Sequence, residues 1–512
     1  MISVATITKQ WAQRKVLPSL EAYVRVPSLS PAFGGHTAEL QDSALKVITD
    51  WIGSQCKDIK GMTHTVLREP NRTPLLFVEV EASSSSTAGI PPVLLYGHFD
   101  KQPPFTGWLE GLGPYTPVIK DGKLYGRGAA DDGYACFAAL TAVAALQAES
   151  KPHGRMVLLI EGSEESGSPD LPTYVDKLIA QGKIGAVGLV VCLDSGAGSY
   201  DRLWVTSSLR GIVMADLTVS VIKEGVHSGD ASGVVPSTFR VARSLIARLE
   251  DQETGRIIPP ALYATDLDAA RASAAKTAAE VLGKTGMVDC FPFLPGARPP
   301  VDDVGELGLN RWWRPQLEVI GADGFPPCAQ AGNVLRPSTS FSLSMRLPPT
   351  VPTKLAEQTL RDTLVGQPAL HGATVTLNVR KSSQGWAAPP TAPWLATAAE
   401  KASVEAFGKP AVYQGEGGSI PFMAMLGQVF PQAQFLVTGV LGPGANAHGP
   451  NEFLHLGFVE QITACVANVL SAFVDYHQQQ AAQGSTSPDK KTRVDATGLA
   501  SEYGRQKDGS KV

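Results

Sequence analysis

Two histidines and several carboxylates stand in five short clusters along the chain. They are Gly97-His98-Phe99-Asp100, Ala130-Asp131-Asp132-Gly133, Ser163-Glu164-Glu165-Ser166, Cys192-Leu193-Asp194-Ser195 and Ala447-His448-Gly449-Pro450. Imidazole plus carboxylate is the ligand set that holds zinc and similar divalent ions. One carboxylate beyond the ligands is what a metal-assisted hydrolase uses to activate water. Alternate residues of an extended chain share a face, so Asp100 can fix the His98 ring while the other ring nitrogen meets a metal. Asp131-Asp132 follows the turn Gly126-Arg127-Gly128 and precedes an apolar helix. A carboxylate there can bridge two cations, or simply cap the helix. Adjacent Glu164 and Glu165 repel each other, and a cation would justify the pair. Asp194 ends an apolar run, and His448 lies in a loop rich in Gly, Pro and Asn that can present a side chain without burying it. Each cluster alone has an ordinary structural explanation. Together they furnish every ligand of a two-metal site.

Such residues need elements to carry them. The runs at 93–96, 156–160 and 187–193 read as buried strands, ending at His98, at Glu161 with Glu164-Glu165, and at Asp194. Strands that deliver polar residues at their C-terminal ends are how open α/β sheets build sites. The Ala- and Leu-rich stretch 134–149 reads as a buried helix between the first two. The texture changes near Arg210. Period-two alternation at 212–221, 340–347 and 374–380 predicts strands with one wet face, with helices at 236–250 and 353–365 between them. This predicts an inserted α+β module at 210–383. The catalytic α/β part, with a mostly parallel sheet flanked by helices, covers 1–209 and 384–478. The stretch 266–313 combines an Ala-rich helix with a Pro/Gly-rich loop. Residues 479–512 are rich in Gln, Ser, Lys, Asp and Gly and read as a loose tail.

The 512 residues exceed one simple core, so two domains are expected. Lys and Arg number 44 against 48 Asp and Glu, a formal charge of −4, which gives no nucleic-acid footprint. No stretch reads as long and apolar enough to cross a bilayer. The first eleven residues lack the basic start and apolar core of a secretion signal and read as a first helix. The six cysteines are scattered, with no C-x-x-C pair, which fits free thiols and a cytoplasmic setting.

The clusters, with Asp121-Gly122-Lys123-Leu124-Tyr125-Gly126-Arg127-Gly128 and Glu161-Gly162-Ser163-Glu164-Glu165-Ser166-Gly167, resemble the co-catalytic zinc metallopeptidases. That family includes cytosolic nonspecific dipeptidase, carnosinase, glutamate carboxypeptidase, the aminoacylases and succinyl-diaminopimelate desuccinylase. Gly225-Val226-His227-Ser228-Gly229 and Gly415-Glu416-Gly417-Gly418-Ser419-Ile420-Pro421 resemble its dipeptidase branch. The resemblance implies two Zn²⁺ per subunit, with Mn²⁺ or Co²⁺ as possible replacements. Asp131 would bridge them, His98 and Asp194 would complete one, and Glu165 and His448 the other. Glu164 would be the general base and acid, acting on a hydroxide held between the ions, with Asp100 orienting His98. The Asp131-Asp132 peptide is typically cis in such enzymes. His227 would reach the partner subunit's site in a homodimer formed through the inserted lid. Arg346 would grip the substrate's free carboxylate, with Asn333 and Ser419 in the same pocket.

The implied activity is hydrolysis of the amide bond of a dipeptide or similar small substrate. An N-acyl-amino-acid amidohydrolase would share the metal site and is the alternative among enzymes. A metal-binding protein without turnover is a third reading, against which the extra carboxylate of Glu164 speaks.

Overall fold

The computed structural model describes residues 1–418 and 420–484. Its centre is a six-stranded sheet in the order Met62–Leu67, Leu75–Val80, Met156–Glu161, Val93–His98, Leu189–Cys192, Gln434–Val437. The last four strands run parallel, and the first two add an antiparallel edge. Every residue of Val93–His98 and Met156–Glu161 is buried, as central strands covered on both faces require. Val93 and Leu95 face a core with the helices Ala38–Gln55, Tyr134–Ala148 and Leu456–Gly484, whereas Leu94 and Tyr96 face Leu171–Ala180 and Pro421–Val429. The sheet is therefore mostly parallel and flanked by helices, as the sequence predicted. Its parallel strands end together, with His98 opposite Glu161 and Asp194 two residues beyond Cys192.

A second, three-stranded sheet, Trp386–Ala387, Trp204–Leu209 and Val412–Glu416, carries the chain out of this body and back. Between the crossings lies an antiparallel sheet in the order Gln316–Asp323, Ser338–Leu347, Gly211–Ser220, Thr374–Ser383. Val213, Ala215 and Leu217 with Phe341, Leu343 and Met345 share one face. They pack with Val241, Leu245, Ala356 and Leu360 of the helices Thr238–Ile246 and Thr353–Leu364 in a separate core.

Part of the inserted stretch behaves otherwise. The helices Ala269–Lys284 and Val304–Trp312 place Ala275, Ala278, Ala279, Leu309 and Trp312 in the large core with Trp204 and Val412. An apolar helix face does not say which sheet it will cover, so assigning all of 210–383 to one module misses this return. The last helix, Leu456–Gly484, runs beyond the boundary read at 478. The rest of the tail, 485–512, lies outside the described residues.

The expectation that no stretch is apolar and long enough to cross a membrane is corrected. Ala129–Ala148 and Leu456–Gln483 both pass that test by length and composition. Their windows are 100% and 72% buried inside the protein, and a helix apolar on nearly all sides is what a core position demands. All six cysteines are free, and Cys56, Cys136, Cys192 and Cys465 are buried.

Candidate active site

Strand ends and two loops bring the chemistry together. His98 ends its strand with no exposed side-chain surface, and its Nε2 lies 3.3 Å from Asp131 Oδ1 and 3.8 Å from Asp194 Oδ2. The other carboxylate oxygen of Asp131 lies 3.0 Å from His448 Nε2, which is in turn 3.4 Å from Glu165 Oε2. Asp131 thus stands between the two imidazoles, one oxygen toward each. The Asp131-Asp132 peptide is cis. His448 sits at φ 64° in a loop where Asn446 and Asn451 also have positive φ, and its side chain is 56% exposed.

Asp100 is tied to this cluster twice. Its carbonyl oxygen lies 3.1 Å and its carboxylate 3.4 Å from His98 Nδ1. The same carboxylate accepts the backbone N–H groups of Glu164 (3.2 Å) and Glu165 (3.0 Å). One buried carboxylate therefore sets both the imidazole and the acidic turn that follows Met156–Glu161.

The balance of charge is lopsided. Asp131, Asp132, Glu164, Glu165 and Asp194 converge on two imidazoles. Burial, with the charge of Asp194 added, pushes the Glu164 carboxyl well above its usual range. Burial and the charges of Asp131 and Glu164 do the same to Glu165. Asp194 is pushed up to about 7 by burial, which the nearby His98 opposes. Asp131 goes the other way: burial opposes its charge, but the imidazoles of His448 and His98 on either side outweigh burial and hold it ionised. Burial likewise depresses His98, yet the carboxylates of Asp100, Asp131 and Asp194 close to its ring win and raise it.

Three buried atoms here have no hydrogen-bond partner among the described residues: His98 Nε2, Glu165 Oε1 and Asp132 Oδ1. Such orphans are costly unless something else meets them. Ligand atoms of His98, Asp131 and Glu165 lie within 4.8 Å of one another, and so do those of His98, Asp132 and Asp194. Excess carboxylate, orphaned donor atoms and this spacing fit divalent cations.

Residues that sequence reasoning passed over hold the arrangement. Asp132 was read only as part of the pair, yet its Oδ2 accepts the His98 N–H at 3.2 Å and its carboxyl is pushed up chiefly by burial. Gly97 is required by that approach, because a Cβ there would lie 2.7 Å from Asp132 Oδ2 and 2.5 Å from Ala135 Cβ. Glu452, fully buried, accepts Arg127 Nη1 at 2.5 Å and the N–H groups of Gly128 (3.0 Å), Ala130 (3.2 Å) and Asp131 (3.2 Å). Arg127 also donates to the carbonyls of Gly449 (2.7 Å) and Pro103 (3.1 Å). This ion pair pins together the loops that carry Asp131, His448 and the segment after Asp100. Gln102 donates to Glu165 Oε2 at 2.6 Å. The only sequence signals were Arg127 between two glycines and Glu452 four residues after His448.

The substrate residues are not gathered with the metal cluster. His227 is 65% exposed and, among the described residues, accepts the N–H of Gly229 two positions on, with Asp230 3.7 Å away. It pairs with Val334, beside Asn333, in a two-stranded ribbon of the inserted module. Arg346 is half-buried on the strand Ser338–Leu347. Ser419 lies outside the described residues.

A parallel sheet whose strand ends and loops gather such a cluster, interrupted by an α+β module, defines the class of metal-dependent hydrolases. The family model of peptidase family M20/M25/M40 matches residues 94–474, and the chain belongs to that family. It is a metallopeptidase, as the sequence resemblance implied. The cysteinylglycine-S-conjugate dipeptidase of Corynebacterium striatum is 28% identical over 386 residues, 75% of this chain and 81% of that protein. The Beta-Ala-His dipeptidase of Homo sapiens is 27% identical over 391 residues, 73% of this chain and 72% of that one. Human carnosine dipeptidase 1 superposes with a TM-score of 0.68 at 20% identity, covering 92% of this chain and 98% of its own. The M20 family metallo-carboxypeptidase Sso-CP2 from Sulfolobus solfataricus does so with a TM-score of 0.69 at 19% identity, over 90% and 99%.

Proposed function

We propose that this chain is a dipeptidase that hydrolyses the amide bond of a dipeptide, or a similarly small substrate, bearing a free carboxylate. The observation that carries the reading is the convergence of His98, Asp131, Glu165, Asp194 and His448, with His98 Nε2 making no hydrogen bond among the described residues. His98, Asp131 and Asp194 would hold one divalent ion, and Asp131, Glu165 and His448 the other. Zinc suits this donor set, and Mn²⁺ or Co²⁺ could replace it. When bound, the pair polarises the scissile carbonyl and acidifies water.

The protein's own groups do the rest. Glu164 takes the proton of the attacking water and returns it to the leaving amine. Asp100 holds that turn and His98 in fixed relation. Arg346 receives the free carboxylate in bidentate fashion, and Asn333 is assigned to the same pocket. His227, exposed and remote from its own cluster, serves the site of a second copy in a homodimer made through the inserted module. The edge strand Gln316–Asp323 leaves Val319 and Ile320 exposed for that contact. Unpaired cysteines agree with a cytoplasmic setting.

The test is a panel of dipeptides and N-acetyl amino acids, with metal and with chelator. Dipeptide cleavage that chelator abolishes is expected. Glu164→Ala should keep its metal and lose about 10²–10⁴-fold in kcat. Cleavage of N-acetyl amino acids alone would move the reading to an acylase. Full activity in chelator would overturn it.

A further inference from the structure

A cavity of about 570 Å³ opens where the inserted module joins the catalytic body. That is room for a small organic molecule. Its walls come from three stretches. Pro349 and Pro352 lie between the strand Ser338–Leu347 and the helix Thr353–Leu364 of the module. Trp386 and Pro389 belong to the returning crossing, and Gly427 and Phe435 to the body. None of His98, Asp131, Glu164, Glu165, Asp194 and His448 lines it, so the cavity is separate from the candidate active site. Trp386 pairs with Leu209 of the outgoing crossing. A Cβ on Gly385 would lie 2.6 Å from the Pro349 carbonyl oxygen and 2.8 Å from Gly211 N. Only glycine lets the chain pass so closely, and the close passage fixes this wall in place.

The chemistry of the walls is uneven. Four prolines and the rings of Trp386 and Phe435, whose centroids are 5.3 Å apart, offer apolar surface to a flat ring. Trp386 is 6% exposed, yet its indole N–H makes no hydrogen bond among the described residues. A buried indole N–H ordinarily finds an acceptor. Gly427 keeps the approach to it clear, because a Cβ there would lie 3.0 Å from Trp386 Nε1. Arg271 also lines the cavity. Its Nη1 donates to the Asp266 carbonyl (3.0 Å) and carboxylate (2.7 Å), while its Nε and Nη2 make no hydrogen bond among the described residues. That free edge of the guanidinium suits a carboxylate. Among the described residues no Asp or Glu lines the cavity, so an ammonium group would meet no counter-charge on its walls.

We propose that this cavity is a binding site for a small aromatic carboxylate, its ring among the prolines and Trp386, its carboxylate drawn by Arg271 and the Trp386 N–H. A zwitterionic dipeptide fits poorly, because its ammonium would go unanswered. The site therefore stands apart from the dipeptidase reading and does not depend on it.

The experiment is calorimetric titration of the metal-loaded full chain with 1-naphthylacetate. One molecule should bind per chain, and the neutral isostere 1-naphthylacetamide should bind at least about tenfold more weakly. Trp386→Phe keeps a ring and removes the N–H. Gly427→Ala sets a methyl group against Nε1, within a helix that alanine suits better than glycine. Each variant should show the parent's circular dichroism and bind the carboxylate at least about tenfold more weakly. Chelator should leave the affinity unchanged. Absence of binding with a Kd below about 1 mM overturns the site. So does parental affinity in either variant, or equal affinity for the two ligands. Binding lost in chelator would place the ligand on the metal cluster and overturn it as well. If Trp386→Phe does not fold, Gly427→Ala alone decides.

Discussion

Glu452→Gln should loosen the loops that present Asp131 and His448 without touching either side chain. The Glu452 carboxylate accepts one guanidinium N–H and three backbone N–H groups, and both it and Arg127 are fully enclosed. Removing one member of a buried ion pair costs about 3–5 kcal/mol, because the other is left charged in a poor solvent. Glutamine keeps the volume and one acceptor oxygen, so the lower end, about 3 kcal/mol, applies. That is a large part of a net stability of order 5–15 kcal/mol, so the variant should fold but melt earlier. Carried to a chain this long, the scaling of melting temperature gives a fall of roughly 3–6 °C. Calorimetry in excess chelator removes the linkage to metal from the comparison. Adding Arg127→Met removes the stranded charge, so the double variant should lose about 1–3 kcal/mol less than the two single losses summed. Because the loop that carries Asp131 loses its charged tie to Arg127, affinity for divalent ions should fall about 10–100-fold. A Glu452→Gln protein melting within about 1 °C of the parent would refute the reasoning.

Further outcomes follow from other contacts. Gly97→Ala puts a methyl group 2.5 Å from Ala135 Cβ and 2.7 Å from Asp132 Oδ2. It should destabilise by about 1–3 kcal/mol and weaken metal binding, read by urea titration and by competition with a chromogenic chelator. An unchanged urea midpoint would contradict the packing argument. Lys101 donates to the carbonyls of Tyr23, Val24 and Val26, and burial brings its ammonium from 10.5 down to about 7. Between those values the unfolded chain binds a proton that the folded chain lacks, so this group makes stability rise with pH across that window, by up to about 1.4 kcal/mol per unit. Lys101→Met should flatten the rise in urea midpoints measured from pH 7 to 9. An unchanged slope would assign the titration to another group. Arg346→Met should raise KM for dipeptides more than it lowers kcat, and equal KM values would remove Arg346 from carboxylate binding.

The residues that converge in the candidate cluster were legible because their chemistry is tied to strand ends. An apolar run that stops at His98 or Asp194 shows both the element and what it delivers. The alternating strands Gly211–Ser220 and Ser338–Leu347 were legible for the same reason, one face being wet. What could not be read is whatever depends on where a helix or loop lands. Nothing local to Ala269–Lys284 says that its small residues meet Val412 rather than the inserted sheet. Glu452 and Arg127 lie more than 300 residues apart, and a lone acid after a loop histidine looks solvated until its partner is seen. Asp132 was hidden behind its neighbour, since two adjacent carboxylates do not reveal which faces which partner. The two long apolar helices were undervalued because Asp131 and Asp132 interrupt the first, and polar residues close the second.

The central claim is that His98, Asp131, Glu165, Asp194 and His448 together hold two divalent ions. Anomalous scattering at the zinc edge, on crystals of protein loaded with Zn²⁺, tests it most directly. Two peaks should appear, one among His98, Asp131 and Asp194 and the other among Asp131, Glu165 and His448, with elemental analysis giving two ions per chain. Fully loaded protein with no peak at these side chains, or with its ions bound elsewhere, would contradict the account.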